Sequence, residues 1–232
     1  MVKSGILNLK SLKEQVYEYL REQLQKGEIK PGTAINMEKT SQKLGVSRTP
    51  LRDALFQLES EDFVTIIPRR GVVVNHLSLQ DIKNYYEIIG SLESMAVLLA
   101  CPTMQDTDVK TMRILNERMS EALDRNDFNA YYTNNLKFHN VFLNRCENRY
   151  LLKIVNNLKK RLYDFPRQEG FIKEWEEDSV KEHQALLELI EQRKYGEAAR
   201  FMRDVHWSYQ VQKKYIIKYY QDAAALSKKD SQ

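Results

Sequence analysis

One stretch of this chain reads as strand, and its position after three helical segments limits what the rest can fold into. Residues 62–77, DFVTIIPRRGVVVNHL, are rich in β-branched side chains over Phe63 to Ile67 and Val72 to Asn75, on either side of Pro68 to Gly71. Two such runs around a proline-glycine turn predict a two-stranded hairpin. Upstream, Leu9, Leu12, Val16, Tyr19, Leu20 and Leu24 recur at the spacing of an amphipathic helix. Lys30-Pro31-Gly32 breaks that segment, and Met37 to Leu44 predicts a second, short helix ended by Gly45. A third helix opens with Ser47 as its N-cap and Pro50 in its first turn, where the missing N–H costs little. Leu51, Leu55 and Leu58 give it an apolar face. Helix, short helix, tight turn, helix and basic hairpin together form a winged helix-turn-helix.

From Ser78 onward the period changes and only helices are expected, over about 79–100, 105–125, 128–146, 149–164, 171–193 and 195–220. The neighbourhoods of Asn126-Asp127, Asn148, Glu169-Gly170 and Gly196 supply the breaks. The expected fold is therefore mostly α: an N-terminal winged helix-turn-helix (1–76), a C-terminal antiparallel helical bundle (77–222) and a polar, frayed tail (223–232). No apolar run approaches the roughly 18 residues of a membrane helix. The first residues lack the apolar stretch of a secretion signal, so a cytoplasmic protein with no membrane partner is expected. Cys101 and Cys146 lie far apart in sequence, which favours reduced, buried thiols.

Charge points to a partner. Residues 1–76 hold twelve Lys and Arg against nine Asp and Glu, and so carry most of the net charge of +4. In a helix-turn-helix the first turn of the second helix enters the major groove. Arg48 and Arg52, four apart, share one face there. An arginine grips guanine O6 and N7 with two bonds, or holds a phosphate. Ser47 and Thr49 can reach phosphates beside the helix-start amides, Lys39 lies on the preceding helix, and Arg69, Arg70 and Gly71 form the wing tip. A solvated arginine pair is the plain alternative for any isolated Arg-xxx-Arg. The surrounding helix, turn, proline and basic wing favour DNA.

The segment LGVSRTPLRDALFQLESEDFVTIIPRRGVVV resembles the winged-helix signature of the GntR superfamily of bacterial regulators, over about residues 8 to 76. That resemblance implies that Ser47, Arg48, Thr49 and Arg52 face a double-stranded operator. It also implies a two-fold homodimer with a reading helix in each of two successive grooves. Glu38 stands where that family usually carries a base-reading arginine, with Lys39 beside it as a substitute.

Three of the four histidines sit on the apolar stripes of three different expected helices. His139 aligns with Phe128, Tyr132, Asn135, Phe142 and Cys146; His183 with Trp175, Ser179, Leu187 and Ile190; His206 with Ala199, Met202, Tyr209 and Lys213. One such histidine is usually a hydrogen-bonded core residue. Three that converge suit Zn²⁺, Ni²⁺ or a similar divalent metal, and Asn135, one turn before His139, can add an amide oxygen. Residues 79 to 220 resemble the all-helical FCD effector domain of the FadR-like GntR branch, through NNLKFHNVFLNRCENRYLL, EHQALLELIEQR and EAARFMRDVH. The resemblance implies a metal held by Asn135, His139, His183 and His206, and a small organic acid as effector. Asn135 replaces the usual aspartate, and Ile89 stands where a carboxylate-binding arginine is usual, four residues before Glu93. Tyr86, Arg161 and Tyr163 join Asn135 as candidate effector contacts. A ligand-responsive DNA-binding regulator, with repression as its expected mode, follows. The alternative is a helical metalloenzyme with a three-histidine metal and Glu182 as base. However, neighbouring helix residues point about 100° apart, so Glu182 is expected off the site. HExxH is absent, and no enzyme is expected.

Overall fold

The computed structural model describes residues 10–164 and 171–229. The described residues fall into two compact units: the N-terminal part up to Leu77 with a short return from Lys159, and Ser78–Leu158 with the residues from 171 onward.

In the first unit, Ser11 and Glu14 form a capping box that starts α1 (Leu12–Gln25), which buries Val16, Tyr17, Leu20 and Leu24. The expected start at Leu9 lies outside the described residues. After β1 (Ala34–Ile35), Asn36 caps α2 (Met37–Leu44), and Gly45 ends it at φ 64°, a left-handed turn suited to glycine. Helix α3 (Arg48–Ser60) buries Leu51, Ala54, Leu55 and Leu58. Ser47 occupies its N-cap position but makes no side-chain capping bond, so the expected cap is positional only. Strands β2 (Val64–Ile67) and β3 (Gly71–Val74) pair antiparallel, with Val64 opposite Val74 and Ile67 opposite Gly71. The sheet has three strands rather than the expected two, in the order β1-β3-β2, because Ala34 and Ile35 pair with Val73 and Val72. Two residues are too few to show a period. The helices and sheet close over one core of Leu20, Leu24, Leu51, Leu55, Leu58 and Phe63, each at most 1% exposed.

The expected boundary at 76/77 falls at Leu77/Ser78, and a second segment joins the first unit. It is the last part of α7 (Arg149–Asp164). Arg161, 1% exposed, donates from Nε to the Asp62 carbonyl (2.9 Å) and from Nη2 to the His76 carbonyl (3.2 Å), with its guanidinium 5.4 Å from the Phe63 ring centre. Beside it, Lys160 Nζ lies 3.5 Å from buried Glu61, which also accepts from the Tyr17 hydroxyl.

The second unit is helical. Ser78 and Asp81 form the capping box that starts α4 (Leu79–Ala100). Then come α5 (Asp106–Asp124), α6 (Phe128–Arg145), the first part of α7, α8 (Lys173–Glu191), α9 (Tyr195–Phe201) and α10 (Tyr209–Lys229). Short turns make sequence neighbours antiparallel. Left-handed residues at Asn126, Glu147 and Arg193 close three helices. The stop expected at Gly196 thus falls at Arg193, and Gly196 lies within α9. The stop expected at Glu169-Gly170 lies outside the described residues. The expected single helix over 195–220 is interrupted. Met202–His206 form a π-helical turn, sealed by a bond from the Trp207 amide to the Met202 carbonyl (2.9 Å). The tail expected to fray from 223 is helical through Lys229. Both cysteines are free and buried, and burial pushes the Cys101 thiol up to about 12. Among the described residues, no helix is long and apolar enough to cross a membrane.

Candidate functional site

Two sites emerge, one in each unit. In the first, the helix-turn-helix brings the N-terminal ends of α2 and α3 and the wing tip to a concave surface. One depression is lined by Met37, Arg48, Thr49 and Arg52; a second by Glu38, Arg48, Arg70 and Gly71, among others. Ser47, Arg48, Thr49, Arg52, Lys39, Arg69, Arg70 and Gly71 are all exposed, while the leucines of the same α3 helix are buried. Gly71 takes φ 108° at the wing tip and Arg69 takes φ 63°, which turns the chain sharply enough to leave the two arginines outside. Glu38 lies 3.7 Å from Arg48, with both side chains about two-thirds exposed. So exposed a pair contributes little to stability; it puts one acceptor among the donors of this surface.

In the second unit the three histidines converge. His139 comes from α6, His183 from α8 and His206 from the π-helical turn, with one ring nitrogen of each within 4.8 Å of the others. His139 and His183 are 1% exposed, and their Nε2 atoms face each other at 3.3 Å. The other nitrogens explain the orientation. Trp207 Nε1, which can only donate, bonds Glu93 Oε2 at 2.9 Å, so that oxygen is an acceptor. His139 Nδ1, 2.8 Å from the same oxygen, therefore donates to it and leaves its Nε2 lone pair toward the cluster. His206 Nδ1 sits 2.8 Å from Glu182 Oε2; Glu182 Oε1 accepts from Gln212, whose Oε1 accepts from Trp175, each at 2.8 Å. A carboxylate behind a histidine fixes its tautomer and raises its basicity as a ligand. Asn135 is 8% exposed, and its Oδ1 is buried with no hydrogen-bond partner. Converging imidazole lone pairs and an orphaned amide oxygen one turn from His139 fit a divalent cation.

Sequence reasoning missed Trp207 and Gln212, used Glu93 only as a positional landmark and set Glu182 aside. Glu182, expected off the site, leaves the face of His183 but reaches His206 in the π-helical turn after α9. Glu93 is fully buried on the stripe Ile82, Tyr86, Ile89, Val97, and a charge in an apolar stripe was a legible signal. Gly90, on α4, lets the π-helical turn approach. A Cβ there would meet Trp207 Cβ at 2.8 Å. Gly90→Ala is expected to displace Trp207 and destabilise this unit by about 1–3 kcal/mol. Denaturation followed by tryptophan fluorescence measures it, and an unchanged midpoint and spectrum would contradict the close approach.

Tyr86 is buried and meets Trp207 edge-on at 5.2 Å, next to the cluster. Arg161 and Tyr163, expected as effector contacts, group instead with the first unit, where Arg161 is committed to the Asp62 and His76 carbonyls. Along α6 and α8 the polar residues continue away from the histidines. The Tyr131 hydroxyl, on α6, has Glu176 and Ser179 of α8 as its polar neighbours. Burial raises the Glu176 carboxyl from 4.5 to about 7, against the lowering pull of Tyr131. The protonated form favours folding, so this contribution is full below pH 4.5 and is lost as pH rises through about 7.

The model for bacterial regulatory proteins of the gntR family matches residues 12–74, and the FCD domain model matches residues 84–206. The Nta operon transcriptional regulator of Aminobacter aminovorans is 30% identical over 177 residues, 75% of this chain and 80% of that protein. The HTH-type transcriptional repressor GlaR of Escherichia coli is 26% identical over 200 residues, 81% of this chain and 89% of its own length. Among solved structures, E. coli McbR/YncC superposes with a TM-score of 0.68 at 23% identity, over 93% of this chain and 100% of that one, a likeness of fold.

Proposed function

The chain belongs to the GntR family of bacterial regulatory proteins and carries an FCD domain, and from that premise we propose a metal-dependent, effector-controlled repressor. That it is a DNA-binding transcription regulator follows from the family, whose relatives and fold neighbours are regulators rather than enzymes. The observation that carries the finer reading is the convergence of His139, His183 and His206 beside the orphaned Asn135 oxygen. These four residues would hold a divalent ion such as Zn²⁺ or Ni²⁺. When bound, the ion supplies a Lewis-acidic anchor for an effector carboxylate. Glu93 and Glu182 hold His139 and His206 in the tautomer that presents Nε2. Tyr86 would face the effector next to Trp207.

On the DNA side, Arg48 and Arg52 would contact base edges, with Ser47, Thr49, Lys39, Arg69, Arg70 and Gly71 on the backbone. Two copies would present these surfaces to a near-palindromic operator. The exposed apolar residues Ile88, Met95, Leu98 and Leu99 of α4 support self-association. Repression is lifted when an effector prefers one dimer state over the other.

Native mass spectrometry of the purified full chain tests this directly. A two-chain mass carrying about two divalent ions is expected, with the ions lost and the mass retained in a His139→Ala, His183→Ala, His206→Ala variant. A metal-free protein whose stability ignores chelators would leave the histidines as ordinary core residues.

A further inference from the structure

Gln212 joins three elements through one side chain. It lies near the start of α10 and is 3% exposed. A glutamine amide has one accepting oxygen and two donating hydrogens. The oxygen accepts from Trp175 Nε1 of α8 at 2.8 Å, and the nitrogen donates to Glu182 Oε1, also of α8, at 2.8 Å. The same nitrogen lies 3.4 Å from the Val205 carbonyl, inside the π-helical turn. This amide cannot be turned over. An indole N–H only donates, so the oxygen has to face Trp175 and the nitrogen has to face Glu182. Around it, α10 is fixed to α8: Tyr215 stacks on Trp175 with ring centres 5.8 Å apart and donates its hydroxyl to Asp178 at 2.6 Å.

The fixed direction of the amide reaches the histidines. With Glu182 Oε1 taken by Gln212, Oε2 is left to His206 Nδ1 at 2.8 Å. His206 then carries its hydrogen on Nδ1 and turns its Nε2 lone pair toward His139 and His183, whose ring centres are 5.1 and 4.9 Å away. Such support matters most at this histidine. His139 and His183 sit within unbroken helices and are 1% exposed. His206 stands at the end of the π-helical turn, with its side chain 10% exposed, and Glu182 behind it is 14% exposed. A glutamate has three rotatable bonds, and one pinned oxygen stops its carboxylate from swinging off the ring.

We propose that Gln212 is a positioning residue of the metal centre: it holds Glu182 against His206 and so presents His206 Nε2 to the ion. The inference rests on the metal-anchored reading above and adds the route by which α10 enters the site. A glutamine that merely fastened α10 to α8 would stabilise the fold through the same bonds without governing the state of His206.

The test compares the full chain with Gln212→Met, which keeps the side chain's volume and removes its polar atoms. In the metal-free protein, long-range ¹H–¹⁵N NMR of the neutral imidazoles reads each tautomer. His206 is expected as the Nδ1–H form in the wild type and as a mixture in Gln212→Met, with His139 unchanged. Titration with Co²⁺ is expected to show an affinity lower by about 10- to 100-fold in Gln212→Met, with a visible spectrum altered by the release of one imidazole. In a Glu182→Gln background the same substitution is expected to cost no more than about twofold, because its route is already cut. An unchanged tautomer or an unchanged affinity in Gln212→Met would overturn the proposal, as would a loss undiminished by Glu182→Gln. A wild-type His206 in the Nε2–H form would overturn it with no variant at all. If Gln212→Met does not fold, Trp175→Phe takes its place, since it keeps a stacking ring and removes the N–H that orients the amide; an unmoved tautomer and affinity there overturn the proposal equally. If Co²⁺ binds the wild type and Gln212 makes no difference, the positioning role alone falls. If the wild type binds no Co²⁺ at the histidines, the metal-anchored reading falls with it.

Discussion

An Arg48→Ala, Arg52→Ala double variant is expected to lose specific operator binding by about 30-fold or more, because each arginine is worth about 1–3 kcal/mol when it reads a base. Both side chains are exposed on one edge of α3, whose opposite face is packed in the core, so truncation should leave the fold intact. The two are one helical turn apart and can share a base step, so their losses need not add. The measurement is fluorescence anisotropy at fixed salt, against an operator fragment selected from genomic DNA and against a scrambled competitor. A base-reading role lowers affinity for the operator more than for the competitor; a phosphate role lowers both and flattens the salt dependence. Unchanged affinity for both fragments would remove α3 from the interface. Glu38, 3.7 Å from Arg48, bears on the outcome as well. A carboxylate in a major groove accepts from a cytosine amino group, so the operator should differ from one read by an arginine at that place.

The second large effect concerns stability. Arg161→Met is expected to destabilise the first unit by about 1–3 kcal/mol, because it strips a charged donor from the Asp62 and His76 carbonyls, of which the Asp62 carbonyl keeps a second donor, Asn75 Nδ2 at 3.0 Å. The guanidinium also covers the Phe63 ring, so part of the loss is packing. Methionine fills a similar volume, which isolates the missing hydrogen bonds from a simple cavity. Both tryptophans, Trp175 and Trp207, lie in the other unit, so their fluorescence is the wrong probe. Hydrogen exchange resolved by peptide should instead show faster exchange over α1 and α3 and little change over α4 to α6. Equal protection in variant and wild type would mean that those carbonyls find other donors at no cost.

The sequence was most legible where a period ran long. Leu51, Leu55 and Leu58, and the valines of Val72–Val74, place α3 and the wing within a residue or two. His139 and His183 were legible for the same reason: each sits in phase with the buried stripe of one unbroken helix. Features set by tertiary context were not legible. Ala34–Ile35 becomes a strand because β3 offers an edge, which no local pattern announces. The π-helical turn at Met202–His206 has no signature in MRDVH, yet it brings His206 and Trp207 to the cluster. Glu182 was misjudged because the angle between neighbours on one helix says nothing about what another helix presents. Arg161, expected as a substitute base for an effector carboxylate, instead donates to two carbonyls far away in sequence, which no local pattern announces.

The closing turn of α7 has a consequence for how such proteins can be taken apart and recombined. A fragment cut after Leu77 would look like a whole reading head in a sequence diagram, yet it would lack the arginine that caps two of its own carbonyls. A chimaera that joins this head to a foreign sensor would inherit the same gap unless Lys160 and Arg161 travelled with it. The unit of exchange is therefore discontinuous in sequence, and a substitution at Asp62 or Phe63 has to be accommodated by residues about a hundred positions downstream.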